Sequence, residues 1–372
     1  MISDNNKHSL ESNIKQEQTD LNKTTFKKTK LSYEDIIKTR TLWTRQFQPY
    51  SINTLEVGKV LLKKKSEMGI IIGIDSTLRI IQNRDPIDDI PVTTSSGTIL
   101  CIKLFPIMPT SSENNVNDIV IGDENGDVSL ISNNQVFLKH NFGSPITNIE
   151  ITKDMTNKVE IIASDFSGII HSFNSYNINW KTRILDTNNS NSTLNLPTIN
   201  PINCILPIKI KDKFNIDTSY LIVSNDTSKL YFYQLGYKKF EINVPFTINT
   251  ICTGHISSKD TKDILVCCKN GNIYYINNYK LYLLIELNDY VNKMKTITIP
   301  CISKEQDVII CSGQFNGLKF FYNKNLIYTF NTTDWIYDFN FYTINSNTIR
   351  MITVSVEGEL QVSELIISSF MN

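Results

Sequence analysis

The sequence predicts an all-β chain folded as a seven-bladed β-propeller. Three observations carry that expectation. An apolar run rich in β-branched residues, a polar turn and a second apolar run recur along the chain: 68–81, Asp118–Ile131, Val159–Phe173, Tyr220–Tyr233, Asp263–Ile276, Asp307–Tyr322 and Met351–Val362. Their turn positions, 77, 126, 168, 228, 271, 317 and 358, follow one another at about 47 residues, the length that a four-stranded blade and its loops occupy. Finally, a strand-like segment at 41–47 has no blade in front of it, while the last hairpin runs close to the C-terminus.

In chain order, residues 1–30 are polar and rich in Asn, Lys, Ser and Thr, the composition of a disordered tail. The propeller is expected over 31–372. Ser32 with Asp35 reads as the cap of a short helix carrying Ile36 and Ile37. Next comes the unpartnered strand at 41–47, with Trp43 and Phe47. A ring needs its final sheet completed, because an unpaired edge invites association. We therefore expect 41–47 to supply the outer strand of the last blade and latch the ring.

Outer strands are also expected at Val136–Phe142, Asn179–Ile184 and Leu326–Phe330, and inner strands at Ile146–Ile149, Ile202–Ile205 and Ile248–Ile251. Asn125-Gly126, Asn270-Gly271 and Asn316-Gly317 read as two-residue hairpin turns. Two insertions break the period: a loop over Met108–Asn117 and a longer, Asn-rich one over 185–201.

Composition narrows the function classes. Lys+Arg and Asp+Glu both number 37 in 372 residues, so no global field attracts nucleic acid or anionic lipid. The 7 cysteines include no Cys-x-x-Cys pair, and Cys267, Cys268 and Cys311 fall within strands, which suits buried, reduced thiols. No segment has the apolar length of a signal peptide or membrane span, so a cytoplasmic protein without direct membrane insertion is expected.

Motifs for chemistry are sparse. Asp123, Asn125 and Asp127 alternate as calcium ligands do, yet Val128 and Asn134 stand where a calcium loop needs glycine and a bidentate acid. The segment reads instead as a hairpin turn. The 4 histidines, His8, His140, His171 and His255, are scattered. Asp88-Asp89 reads as a solvated turn, and Lys27-Lys28 and Lys63-Lys64-Lys65 as solvated basic runs. With no phosphate loop and no nucleophile elbow, no catalytic, cofactor-binding or metal-binding residue is predicted, and no cofactor.

An acidic residue followed by an aliphatic run recurs at Asp118, Glu160, Asp263 and Asp307. This resembles the FG-GAP-type repeat of cytosolic, calcium-free propellers. The hairpins NDIVIGDENGDVSLI and KVEIIASDFSGIIHSF resemble the integrin-α FG-GAP-repeat-containing and kaptin scaffolds of the KICSTOR complex most, and Bardet–Biedl-type propellers share the style. The resemblance implies a scaffold in amino-acid signalling to the TOR kinase, recruited to the lysosome surface.

The function expected is therefore non-enzymatic: a scaffold whose partners are other protein subunits of a complex, with no nucleic acid. The alternatives are a subunit of a Bardet–Biedl-type trafficking coat, or a propeller enzyme with a site in the central channel. The inner strands at 146–149, 202–205 and 248–251 place amides and hydroxyls where such a site needs His, Asp or Glu.

Overall fold

A computed structural model describes residues 36–48, 51–62, 65–82, 85–91, 97–154, 156–175, 177–184, 201–211 and 216–368. The tail at 1–30, the Ser32 cap, Lys27-Lys28, Lys63-Lys64 and 185–200 of the long insertion lie outside these residues.

Strand β1 (Ile37–Gln46) precedes the first blade, β2 (Ile52–Leu62), β3 (Lys65–Ile74), β4 (Thr77–Gln82) and β5 (Asp85–Pro91). Blade two is β6 (Ile99–Phe105), β7 (Asp118–Asp123), β8 (Asp127–Ser132) and β9 (Gln135–Asn141), with a helical turn α1 (Pro109–Glu113) between its first two strands. Blade three is β10 (Ile146–Lys153), β11 (Val159–Asp165), β12 (Ile169–Phe173) and β13 (Ile178–Arg183). Blade four is β14 (Ile202–Lys211), β15 (Asp217–Asn225), β16 (Lys229–Gln234) and β17 (Tyr237–Asn243). Blade five is β18 (Ile248–Gly254), β19 (Asp263–Cys268), β20 (Asn272–Asn277) and β21 (Lys280–Glu286). Blade six is β22 (Val291–Ile297), β23 (Val308–Gly313), β24 (Phe315–Tyr322) and β25 (Asn325–Phe330). The last blade has only β26 (Ile336–Asn345), β27 (Thr348–Ser355) and β28 (Glu359–Ile367) of its own.

The fourth strand of that sheet is β1, in the order β1-β28-β27-β26. The ring is thus a seven-bladed propeller closed by its N-terminal strand, as the unpartnered segment required. The strand begins earlier than expected. Ile37 pairs with Ile367, so it is an extended residue and not part of a helix. The register shifts between Thr41 and Trp43. Ile37 packs with Leu318, Phe339 and Leu365 between blades six and seven. Leu42, Trp43 and Phe47 pack between blades seven and one.

The core is a set of apolar layers, each formed where two neighbouring blades press their sheet faces together. Period-two alternation supplies both faces of the middle strands with apolar residues, and burial of that area is the main stabilising contribution.

The hairpin turns differ from the two-residue form expected. Gly126 N–H donates to Asp123 C=O at 3.2 Å, and Gly271 N–H to Cys268 C=O at 2.9 Å. Only the glycine is left-handed, at φ 85° in Gly126 and 87° in Gly271, so each loop is a turn followed by a one-residue bulge. At Gly271 a Cβ would stand 2.3 Å from Asp289 C=O, which excludes any side chain. Gly317 departs further: it lies inside β24 and not in the turn. Asp88 and Asp89 also lie in a strand, opposite Ile80 and Arg79, and not in the solvated turn expected.

Candidate functional site

The acids that open the aliphatic runs serve the fold. Asp118, almost wholly buried, accepts the backbone N–H groups of Ile107 and Met108 at 2.8 Å each and the Ser111 hydroxyl at 2.5 Å. It thereby folds the Met108–Asn117 insertion, including α1, back onto its blade. Asp263 does the same for Ile256 and Ser257, and Asp307 for His255 and Thr298. Glu160 accepts the Trp180 indole N–H at 3.0 Å. A buried carboxylate needs such donors, and a loop needs its N–H groups satisfied, so each requirement meets the other.

The acidic turn is also explained. Asp123 Oδ1 accepts the N–H groups of Asn125 at 3.0 Å and Asp127 at 2.9 Å, while Asp127 pairs with Lys139 at 2.7 Å. Its oxygens are thus engaged within the hairpin. His171 Nε2 lies 2.9 Å from Asp165 Oδ2 with both side chains buried, His140 packs edge-on against Phe173, and His255 lies beside Asp307. Burial disfavours the Asp165 carboxylate, but His171, Ser167 and the Ile169 N–H outweigh it and hold its pKa down. No group of three or more potential metal ligands occurs among the described residues.

The innermost strands share one geometry. In each, the register with the second strand shifts between the first and third residues: Ile52/Thr54, Ile99/Cys101, Ile146/Asn148, Ile202/Cys204, Ile248/Thr250, Val291/Lys293 and Ile336/Asp338. The bulge turns the next side chains towards the neighbouring blade. Asn148 donates to Ile202 C=O at 3.2 Å, Asn203 to Ile248 C=O at 3.1 Å, Asn249 to Val291 C=O at 2.5 Å and Asn292 to Tyr337 C=O at 2.7 Å. The amides noted in the sequence are therefore inter-blade staples.

Charged residues that the sequence reading passed over sit on the same strands. The fifth residue of each inner strand forms a ring: Glu56, Lys103, Glu150, Leu206, Cys252, Lys295 and Asn340. Lys103 lies 2.8 Å from Glu150 and 4.0 Å from Glu56, and Asn340 donates to Glu56 at 2.8 Å. Lys293 pairs with Asp338 across blades six and seven, and Asp338 also accepts the Leu55 N–H at 3.2 Å.

Burial opposes the Lys103 ammonium, yet Glu150 and Glu56 outweigh it and raise its pKa. Burial likewise opposes the Glu56 carboxylate, but Lys295, Lys103 and Lys293 bring its pKa below the ordinary value. Lys295 has no ion pair or hydrogen bond among the described residues. Burial, with Lys293 adding to it, pushes its pKa down to about 8.

A second feature lies on the face that carries the turns between second and third strands. Trp335 and Tyr337 flank the buried Ile336, and each is 44% exposed. Val356, in the turn from β27 to β28, is 59% exposed, and its N–H donates to Trp335 C=O at 3.0 Å. That backbone bond sets Trp335 beside Val356, with Tyr337 two residues on, so three exposed apolar side chains gather at this end of the last blade. Burial and then Asp338 raise the Tyr337 phenol pKa, so its hydroxyl keeps its proton as a donor.

No protein-family model matches this sequence, and no curated protein matches it. Its structure is similar to that of BBS1N, crystallised in complex with ARL6DN and soaked with mercury. That match has 12% identity and a TM-score of 0.68, over 90% of this chain and 98% of that one. The WD40 β-propeller domain of Doa1 matches at 8% identity and a TM-score of 0.58, over 88% of this chain and 96% of that one. At such identities the likeness shows the fold, a seven-bladed propeller.

Proposed function

We infer that this ring is a non-enzymatic scaffold that binds other proteins. The observation that carries the reading is the patch of Trp335, Tyr337 and Val356. Exposed Trp and Tyr on a rigid frame have the character of interface hot spots, and they gain most when a partner covers them. BBS1N was crystallised with a protein bound, so a ring of this shape supports such use.

Within that reading, membership of a cytoplasmic nutrient-sensing assembly at the lysosome is the implication of the FG-GAP-type resemblance. The acids behind that resemblance are accounted for by the loops they fold, so this finer reading stands on the sequence likeness alone. A trafficking-coat subunit of the Bardet–Biedl type is equally compatible with the ring.

Quantitative affinity capture from the organism's own cells tests the scaffold reading, with wild type compared against Trp335→Asp/Val356→Asp. A stoichiometric partner present with wild type and lost with the variant supports it. Recovery of wild type as a free monomer overturns it.

The rival reading is an enzyme with its site in the channel. One observation favours it: an amine with a pKa of about 8, unpaired among the described residues, at Lys295. Against it, the acids Glu56, Glu150 and Asp338 on the same strands are already engaged by Lys103 and Lys293. Stoichiometric labelling of Lys295 by trapping with borohydride in the presence of cell metabolites would favour the enzyme.

A further inference from the structure

The scaffold reading leaves the chemistry of the partner open, and the surroundings of the patch narrow it. Two carboxylates bracket the apolar side chains. Asp334 precedes Trp335, and its Oδ2 accepts the Glu357 N–H at 3.1 Å. Glu357 follows Val356 at the exposed tip of the turn. Neither acid forms an ion pair with a lysine or arginine among the described residues.

Lysines and arginines on the adjoining strands make other contacts. Arg45 and Arg79 lie over the Phe47 ring, at 5.1 and 5.9 Å from its centroid. Lys293 pairs with the Asp338 carboxylate, and Lys319 with Asp289 at 2.6 Å. The turn is also braced: Gln46 donates to Glu357 C=O at 2.7 Å, so the Glu357 backbone is fixed while its carboxylate stays free.

We propose that the patch of Trp335, Tyr337 and Val356 receives a polypeptide segment with an aliphatic or aromatic knob flanked by lysine or arginine. The proposal rests on the scaffold reading and adds charge complementarity to it. An apolar centre with a charged rim divides the work: the centre supplies affinity, and the rim supplies orientation and partner choice. Here the two rim acids have no ion-pair partner among the described residues, so a basic partner gains at both levels. An acidic partner would meet Asp334 and Glu357 with no cation between.

A random 12-residue peptide library, displayed on phage and panned against the immobilised full chain, tests this. Trp335→Ala serves as counter-selection. Trp335→Ala, Glu357→Lys and wild type are first compared by circular dichroism melts, and Glu357→Lys, on an exposed tip, should melt as wild type does.

The expected peptides carry Lys or Arg beside Leu, Ile or Phe. Their affinity should fall roughly tenfold or more in Trp335→Ala, and about threefold to tenfold in Glu357→Lys. It should also weaken as salt is raised. Peptides lost with Trp335→Ala but lacking a basic bias, or unaffected by Glu357→Lys, would overturn the basic partner while leaving the binding surface in place. Peptides insensitive to Trp335→Ala would overturn the surface as well.

Discussion

Arg40, in the first strand, holds Glu364, in the last, through a 2.7 Å ion pair across 324 residues of sequence. Glu364 is shared: Arg350 on the neighbouring strand donates to its other oxygen at 2.5 Å. The Arg350 contact, joined by Arg40 and opposed by burial, keeps the Glu364 carboxyl below its ordinary pKa. Arg40 itself is 66% exposed, so this pair marks the closure more than it powers it. The energy comes from Ile37 and Phe47, which are nearly fully buried.

That ranking gives the first prediction. Arg40→Ala should cost about 0–1 kcal/mol, and Phe47→Ala about 3–5 kcal/mol. Deleting residues 1–48 removes β1 and bares the edge of β28, and aggregation or a large fall in Tm is expected. Deleting 1–30 leaves β1 intact and should melt as the full chain does. Equal melting of the two truncations would refute the closure.

The second prediction concerns the staples between blades. Asn249 donates to Val291 C=O and accepts the Tyr290 hydroxyl at 2.9 Å. Asn249→Ala leaves both partners without their bond and should cost about 1–3 kcal/mol. Denaturant melts measure it, and an unchanged midpoint would show the amide to be dispensable.

How far these features were legible depends on what each required. Hairpin period and closure were readable because apolar runs and an orphan strand are local signals. The start of β1 was misread because Ile37, which is extended, follows directly on Ile36, which is helical as expected, and the bulge at Thr41 breaks the strand's alternation. The charged ring is less legible because the inner strands of blades three to five open with amides and hydroxyls, and the charges are spread one to a strand. Setting the inner strands side by side on their first Ile or Val would have aligned Glu56, Lys103, Glu150 and Lys295. The Trp335–Val356 pair had no such signal, because it joins a loop and a turn that meet only once β26 pairs with β27.

The third prediction is a pH dependence. The folded pKa of Lys295 lies near 8, below its ordinary 10.5, so the unfolded chain binds the proton more tightly. The charged amine therefore destabilises the fold below about pH 8. That penalty fades as pH rises from 8 towards 10.5, where both states lose the proton. Lys295→Met should stabilise the protein at pH 7, on the order of 1 kcal/mol because the residue is only half-buried. The gain over wild type should vanish by about pH 10.5. Comparing the two proteins at each pH cancels the thiols, whose raised pKa values act oppositely. A gain independent of pH would assign the effect to packing instead.

Partners are expected to meet the ring at Trp335, Tyr337 and Val356. The most direct measurement is photo-cross-linking in the organism's own cells, with p-benzoylphenylalanine placed at Tyr337 and, as control, at Phe137 on the outer strand β9. Phe137 is 51% exposed, so the two positions are comparably open to solvent. We predict discrete cross-linked proteins from position 337 and none of them from 137. No protein adduct at 337, or the same adducts from both positions, would contradict the account.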